Sequence, residues 1–234
     1  MDRTKPFRDR RHAGALLGRA LIHHAGRDDV LVLGLPRGGV PVAYEIATRL
    51  DAPLDVLIVR KLGLPGHEEL AMGAIASGGI LVLDPEILRR AGVTQAALDA
   101  VIEHETEELA RREQTFRGAR TALDVAGQTV ILVDDGLATG SSMLAAIGAL
   151  RTRKPGKIVA AVPIAPPETC RALRTRVEEM VCLVTPPQFH AVGVWYEDFS
   201  QTTDAEVRIL LDQAHRRGAQ LSSQRDTTQG THAR

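Results

Sequence analysis

The sequence predicts an α/β fold, a mostly parallel sheet flanked by helices. Short apolar runs recur along the chain, they are rich in Val, Ile and Leu, and helical patterns stand between them. Runs without polar alternation are what strands covered on both faces look like, and their alternation with helices marks βαβ units. The strand candidates are 30–35, 54–59, 80–83, 130–133, 158–164 and 181–184. In 40–50, apolar residues recur at helical spacing at Val40, Ala43, Tyr44, Ala47 and Leu50, and 141–153 and 204–216 behave alike. The longest helix candidate is 94–117, with Thr94 as its cap and Leu98, Val101, Ile102 and Leu109 as a narrow apolar stripe. Glu107 with Arg111, and Glu108 with Arg112, stand at i,i+4 in the favourable order. The acidic run Glu103, Glu105, Glu107 and Glu108 reads as the solvated face of that helix rather than a metal site.

At 234 residues and 44% hydrophobic content, the chain is long and apolar enough for one full core. The expectation is a single domain over 1–216 and a polar, disordered tail over 217–234. Lys+Arg and Asp+Glu both number 29, so the formal charge is zero. That balance argues against bulk binding to nucleic acid, which needs a basic field. Small anions remain open as ligands, because a few local donors suffice for them. No apolar run reaches the roughly 18 residues of a membrane span. The start, MDRTKPFRDRR, is charged and leads into no apolar signal core. Cys170 and Cys182 form no CxxC or zinc pattern. The expectation is a soluble cytoplasmic protein.

The segment 130–142, VILVDDGLATGSS, carries the chemistry. It begins as a buried strand and ends in the adjacent acids Asp134 and Asp135. A loop of small and hydroxyl residues follows, Ala138, Thr139, Gly140, Ser141 and Ser142, and then a helix. Gly136 and Gly140 permit tight turns and close backbone approach. A loop opening onto a helix N-terminus presents N–H groups and a partial positive charge, which suit a phosphate. Acids at the carboxyl end of a parallel strand lie where open α/β sheets bind ligands. There they can accept hydrogen bonds from a ribose diol, directly or through Mg²⁺. A second strand runs into Pro36, Arg37, Gly38 and Gly39, where glycine N–H groups and an Arg fork can meet phosphate oxygens.

The 130–142 segment resembles the phosphoribosyl pyrophosphate (PRPP) signature of type I phosphoribosyltransferases. The resemblance implies that Asp134 and Asp135 hold the ribose hydroxyls and that 138–142 grips the 5′-phosphate. It makes 36–39 the pyrophosphate loop that follows the first core strand. The segment 60–70, RKLGLPGHEEL, resembles the mobile loop that closes over pyrophosphate, with Lys61 as its cation. Gly136 replaces the family's usual aliphatic residue, which would loosen the turn. Ala138 stands where hypoxanthine-type members carry an Asp for the base proton, which leaves His67, Glu68 or Glu69 for proton transfer.

Four aromatics, Phe189, Trp195, Tyr196 and Phe199, fall within 189–199. The surrounding segment resembles the C-terminal hood of the hypoxanthine-type enzymes, placed at 185–200 and built from terminal segments. By that pattern Phe189 or Trp195 stacks on the base, and Glu197 or Asp198 is an acid near Mg²⁺ and pyrophosphate. The implied reaction moves ribose-5-phosphate from PRPP to a nitrogenous base, in a protein that is a homodimer by resemblance. Alternatives are a PRPP-binding regulator without turnover, kept open by the basic segment 3–11, and a hydrolase of phosphoribosyl compounds.

Overall fold

The computed structural model describes residues 6–230, and the side chains of 6–68 and 70–219. In chain order the elements are α1 (Arg10–Ala20), β1 (Val30–Gly34), α2 (Gly39–Leu50), β2 (Leu54–Val56), β3 (Val59–Leu64), β4 (His67–Ala76) and β5 (Ile80–Leu83). Then come α3 (Pro85–Ala91), α4 (Gln95–Arg117), β6 (Thr129–Val133), α5 (Ser141–Thr152), β7 (Lys157–Ile164), α6 (Pro167–Arg174), β8 (Glu179–Val184) and α7 (Asp204–Gly230).

Five strands form a parallel sheet in the order β2-β1-β6-β7-β8. Alternate residues of its central strands feed two cores. Val32 and Ile131 pack with Leu17, Ile46 and Leu210 on one face. Leu31, Leu33 and Leu132 pack with Met143, Ile147 and Leu173 on the other. Burial on both faces explains why these strands lack polar alternation. Gly34 pairs with Val133, so the loops leaving β1 and β6 emerge side by side.

The run 54–59 divides into β2 and the start of β3, and 80–83 leaves the parallel set. β3, β4 and β5 form a second, antiparallel sheet. The segment expected to be a mobile loop is thus a hairpin. Its turn is Leu64-Pro65-Gly66-His67, and Gly66 has φ +80°, the conformation that follows Pro in a type II turn. Leu62, Leu64, Met72 and Ile75 are buried and hold the hairpin onto the main core.

Thr94 caps α4 as expected, its hydroxyl accepting from the Ala97 N–H at 3.3 Å. Glu108 takes both Arg111 and Arg112, so the Glu107–Arg111 pair expected at i,i+4 is replaced by a pair at i,i+3. The acidic face is not wholly solvated, since Glu105 accepts from Arg60 Nε at 2.6 Å. α7 outruns the expected 204–216, and 217–230 is helical where disorder was expected; 231–234 lie outside the described residues. Val207, Leu210, Leu211 and Ala214 anchor its first turns in the core. Beyond them no Pro intervenes, and extending an existing helix adds one hydrogen bond per residue without a new nucleus.

Candidate functional site

Asp134 and Asp135 follow β6 directly, at the carboxyl end of the sheet. Asp134 Oδ1 accepts from the Asp135 N–H at 2.8 Å. Burial, then the neighbouring Asp135 charge, push the Asp134 carboxyl well above the usual carboxylate range. Burial also raises Asp135, opposed by a cation that the sequence reading did not place there. That cation is Arg10, whose Nε donates to Asp135 Oδ2 at 2.7 Å.

Arg10 is the first residue of α1, and its helix is capped by Asp9, which accepts from the His12 N–H at 2.7 Å. The guanidinium donates through Nη1 to the Ser200 carbonyl at 2.6 Å and lies 3.9 Å above the centre of the Phe199 ring. Tyr196 donates its hydroxyl to the Asp135 carbonyl at 2.6 Å. Phe7 bridges to Tyr196, and the Glu197 and Asp198 N–H groups donate to the Phe7 and Arg8 carbonyls at 2.9 and 2.8 Å. The amino-terminal segment and the 195–200 segment are therefore zipped together over Asp135. The sequence signal for Arg10 was the basic segment 3–11, whose pattern gave no partner for any one arginine.

The two Gly-rich loops meet the acids closely. A Cβ on Gly38 would stand 2.0 Å from Asp135 Oδ2, and one on Gly39 would stand 2.6 Å from the Val133 carbonyl oxygen. Both positions require glycine for approach. The Gly39 N–H is not available to a phosphate as expected, because it donates to the Leu35 carbonyl at 3.0 Å to close the turn. Pro36 and Arg37 line a small cleft of about 360 Å³ with Arg111, Arg112 and Asp204. Arg37 Nη1 lies 3.5 Å from Asp204 Oδ1, so the structure pairs it with α7 and not with the acids of β6.

Gly136 has φ +153°, and a Cβ there would stand 2.5 Å from Val192 Cγ1 and 3.0 Å from Ile164 Cγ2. Rather than loosening the turn, this glycine lets the 192–195 turn seat against it. Ala138 and Thr139 are exposed, as are Ser141 and Ser142 at the start of α5. Gly140 adopts φ +74°, and the Thr139 and Ser141 hydroxyls lie 2.9 Å apart. Thr169 donates to the Ala138 carbonyl at 2.8 Å and holds the loop against α6. The loop thus offers hydroxyls and a helix N-terminus to solvent, an arrangement suited to an anion.

Lys61 is exposed on β3 opposite Ala74, and His67 and Glu68 are exposed at the start of β4. None of the three contacts the acids. Phe189 and Trp195 are half-buried in a cluster with Phe7, Ala13, Ile164 and Tyr196. Glu197 is exposed beside this cluster.

The open parallel sheet thus ends in paired acids followed at once by a loop rich in hydroxyls and glycine. The phosphoribosyl transferase domain family matches residues 11–198, and the chain belongs to that family. Over 212 residues it is 47% identical to the Mycobacterium tuberculosis H37Rv protein named "Putative phosphoribosyl transferase Rv0571c", covering 91% of this chain and 48% of the relative. The chain spans about half the length of the M. tuberculosis relatives it matches. The crystal structure of TT1426 from Thermus thermophilus has 46% identity and a TM-score of 0.80, covering 88% of this chain and 97% of that one. A shorter match of 105 residues, 30% identical, joins 39% of the chain to 55% of the "Bifunctional protein PyrR" of Corynebacterium efficiens.

Proposed function

We propose that the chain is a phosphoribosyltransferase, moving ribose-5-phosphate from PRPP to a nitrogenous base with release of pyrophosphate. The observation that carries this reading is the pair Asp134 and Asp135 at the end of β6, followed at once by the exposed loop that opens α5. Asp134 accepts from the ribose hydroxyls, and Asp135 joins it with the carboxylate oxygen that Arg10 leaves open. Thr139, Ser141, Ser142 and the first N–H groups of α5 hold the 5′-phosphate, and Gly140 and Ala138 keep that loop low enough for contact. The Gly38 edge of the second loop faces pyrophosphate, with Arg37 supplying charge after leaving Asp204. Lys61 approaches from the hairpin as the leaving group develops charge. Phe189 or Trp195 receives the base. These roles place the nucleophile and the departing group rather than forming a covalent bond to the protein.

The donors at the acid pair are all oxygen, which suits a hard divalent cation such as Mg²⁺. The fit is electrostatic as well, since burial and mutual repulsion both disfavour charge on Asp134 and an added cation relieves both. Asp134, Asp135 and, from the hood, Glu197 would hold Mg²⁺ through PRPP, where it supplies charge neutralisation of the pyrophosphate. Among the described residues no helix is long and apolar enough to cross a membrane. A cytoplasmic homodimer is part of the same proposal.

Pyrophosphate release from PRPP and Mg²⁺, measured across a panel of purine, pyrimidine and other nitrogenous bases, tests the reading. Turnover with at least one base is expected. PRPP binding without turnover on any base would leave the regulator reading, and release without any base would leave the hydrolase.

A further inference from the structure

At the amino end of the edge strand β8, away from the strand ends that carry Asp134, three metal-competent side chains converge. His23 and His24 lie in the single 3₁₀ turn after α1, and Glu179 is the first residue of β8. His23 Nε2 is 3.1 Å from Glu179 Oε1, and His24 Nε2 is 3.0 Å from Glu179 Oε2. One ligand atom from each of the three lies within 4.8 Å of the other two. Ligands at about 2.0–2.1 Å in a tetrahedral shell stand about 3.3 Å apart, so small side-chain shifts bring this set onto one ion.

His24 is 1% exposed, and its Nδ1 is buried with no hydrogen-bond partner among the described residues. An ion on Nε2 leaves Nδ1 as it is, so the site rests on the convergence of His23 Nε2, His24 Nε2 and the Glu179 carboxylate. Arg27, in the loop that follows the turn, is paired with Asp29 at 2.6 Å. His23 is exposed, which leaves an entry path and room for water.

We propose that His23, His24 and Glu179 form a site for a Zn²⁺-like divalent ion, with water in the fourth position. The two imidazole nitrogens are borderline ligands and favour Zn²⁺ over the oxygen-seeking Mg²⁺, and a carboxylate oxygen completes a common zinc set. The ion would pin the carboxyl end of α1 to β8. The other end of α1 carries Arg10, so the site would steady the helix that holds Asp135. The proposal does not depend on the transferase reading.

Calorimetry with Zn²⁺ on the full chain, stripped with chelator and dialysed, tests it. Wild type should bind one equivalent, and excess Mg²⁺ should not compete. His23→Ala and Glu179→Gln should each weaken that binding at least about tenfold. Zn²⁺ should raise Tm in wild type and not in either variant, and Co²⁺ should give a visible ligand-field band in wild type only. His23 is exposed, so His23→Ala decides alone if Glu179→Gln does not fold. Absence of Zn²⁺ binding by wild type, or affinity unchanged in His23→Ala, would overturn the proposal.

Discussion

Arg10 Nε stands 2.7 Å from Asp135 Oδ2, although the two residues are 125 positions apart in the chain. Both side chains are largely buried, at 12% and 15% exposure. Removing one member of such a pair strands the other charge. Arg10→Ala should therefore lower stability by about 3 kcal/mol, read from urea unfolding at neutral pH, and Arg10→Lys should lower it less. An unchanged midpoint in Arg10→Ala would mean that solvent replaces the guanidinium without loss.

The same pair makes Asp134 the cleaner position at which to test ribose binding. Asp135→Asn would disturb Arg10, Phe199 and Ser200 as well. Asp134→Asn keeps an oxygen to accept the Asp135 N–H and removes only charge. The folded Asp134 pKa is raised, so the folded chain binds this proton more tightly than the unfolded chain. Its contribution to stability is full below the ordinary carboxylate range and is lost as pH rises through the raised value. Relative to wild type, Asp134→Asn should thus gain stability as pH rises above the ordinary carboxylate range. PRPP affinity should fall in the same variant. A stability difference that is flat with pH would show that Asp134 is not charged at the expense of the fold.

Gly136 is constrained by its neighbour Val192. A Cβ there meets Val192 Cγ1 at 2.5 Å, and valine has little rotamer freedom to yield. Gly136→Ala should destabilise by about 1–3 kcal/mol through overpacking. Val192→Ala in the same chain should return part of that loss. Simple additivity of the two changes in a double-mutant cycle would refute the contact.

The parallel sheet was legible in the sequence because strands covered on both faces must be continuously apolar, as Leu31 through Leu33 and Val130 through Val133 are. The acids and the phosphate loop were legible because one short segment holds them all. The antiparallel sheet was not, since Arg60, Lys61, His67 and Glu68 are polar and only the Pro65-Gly66 turn marks a hairpin. Arg10 was not legible either. Its partners Asp135, Phe199 and Ser200 are joined to it only by tertiary packing, and no local period encodes that.

Gly140 tests the phosphate loop. Its φ of +74° disfavours any side chain, and a Cβ would stand 2.8 Å from Thr169 Cγ2. An L-residue held in this conformation costs about 1–2 kcal/mol. Gly140→Ala should displace the loop and weaken ribose-5-phosphate binding roughly tenfold by calorimetry, a loss of about 1.4 kcal/mol. Full affinity in this variant would move the phosphate to another part of the molecule.

Lys61 separates an enzyme from a regulator. It sits exposed on β3, in a hairpin whose sheet packs on α5 and α4 rather than on the acids. A residue that meets pyrophosphate only in the transition state contributes little to ground-state binding. Charge stabilisation that grows as the C1–oxygen bond breaks appears in turnover instead. Lys61→Ala should therefore reduce kcat by about 10²–10³-fold while PRPP affinity falls much less. The measurement is steady-state turnover with an accepted base, beside calorimetric PRPP binding, for both proteins. Equal losses in the two quantities would make Lys61 a uniform binding residue. A wild type that binds PRPP and turns over no base would assign the whole site, Lys61 included, to sensing.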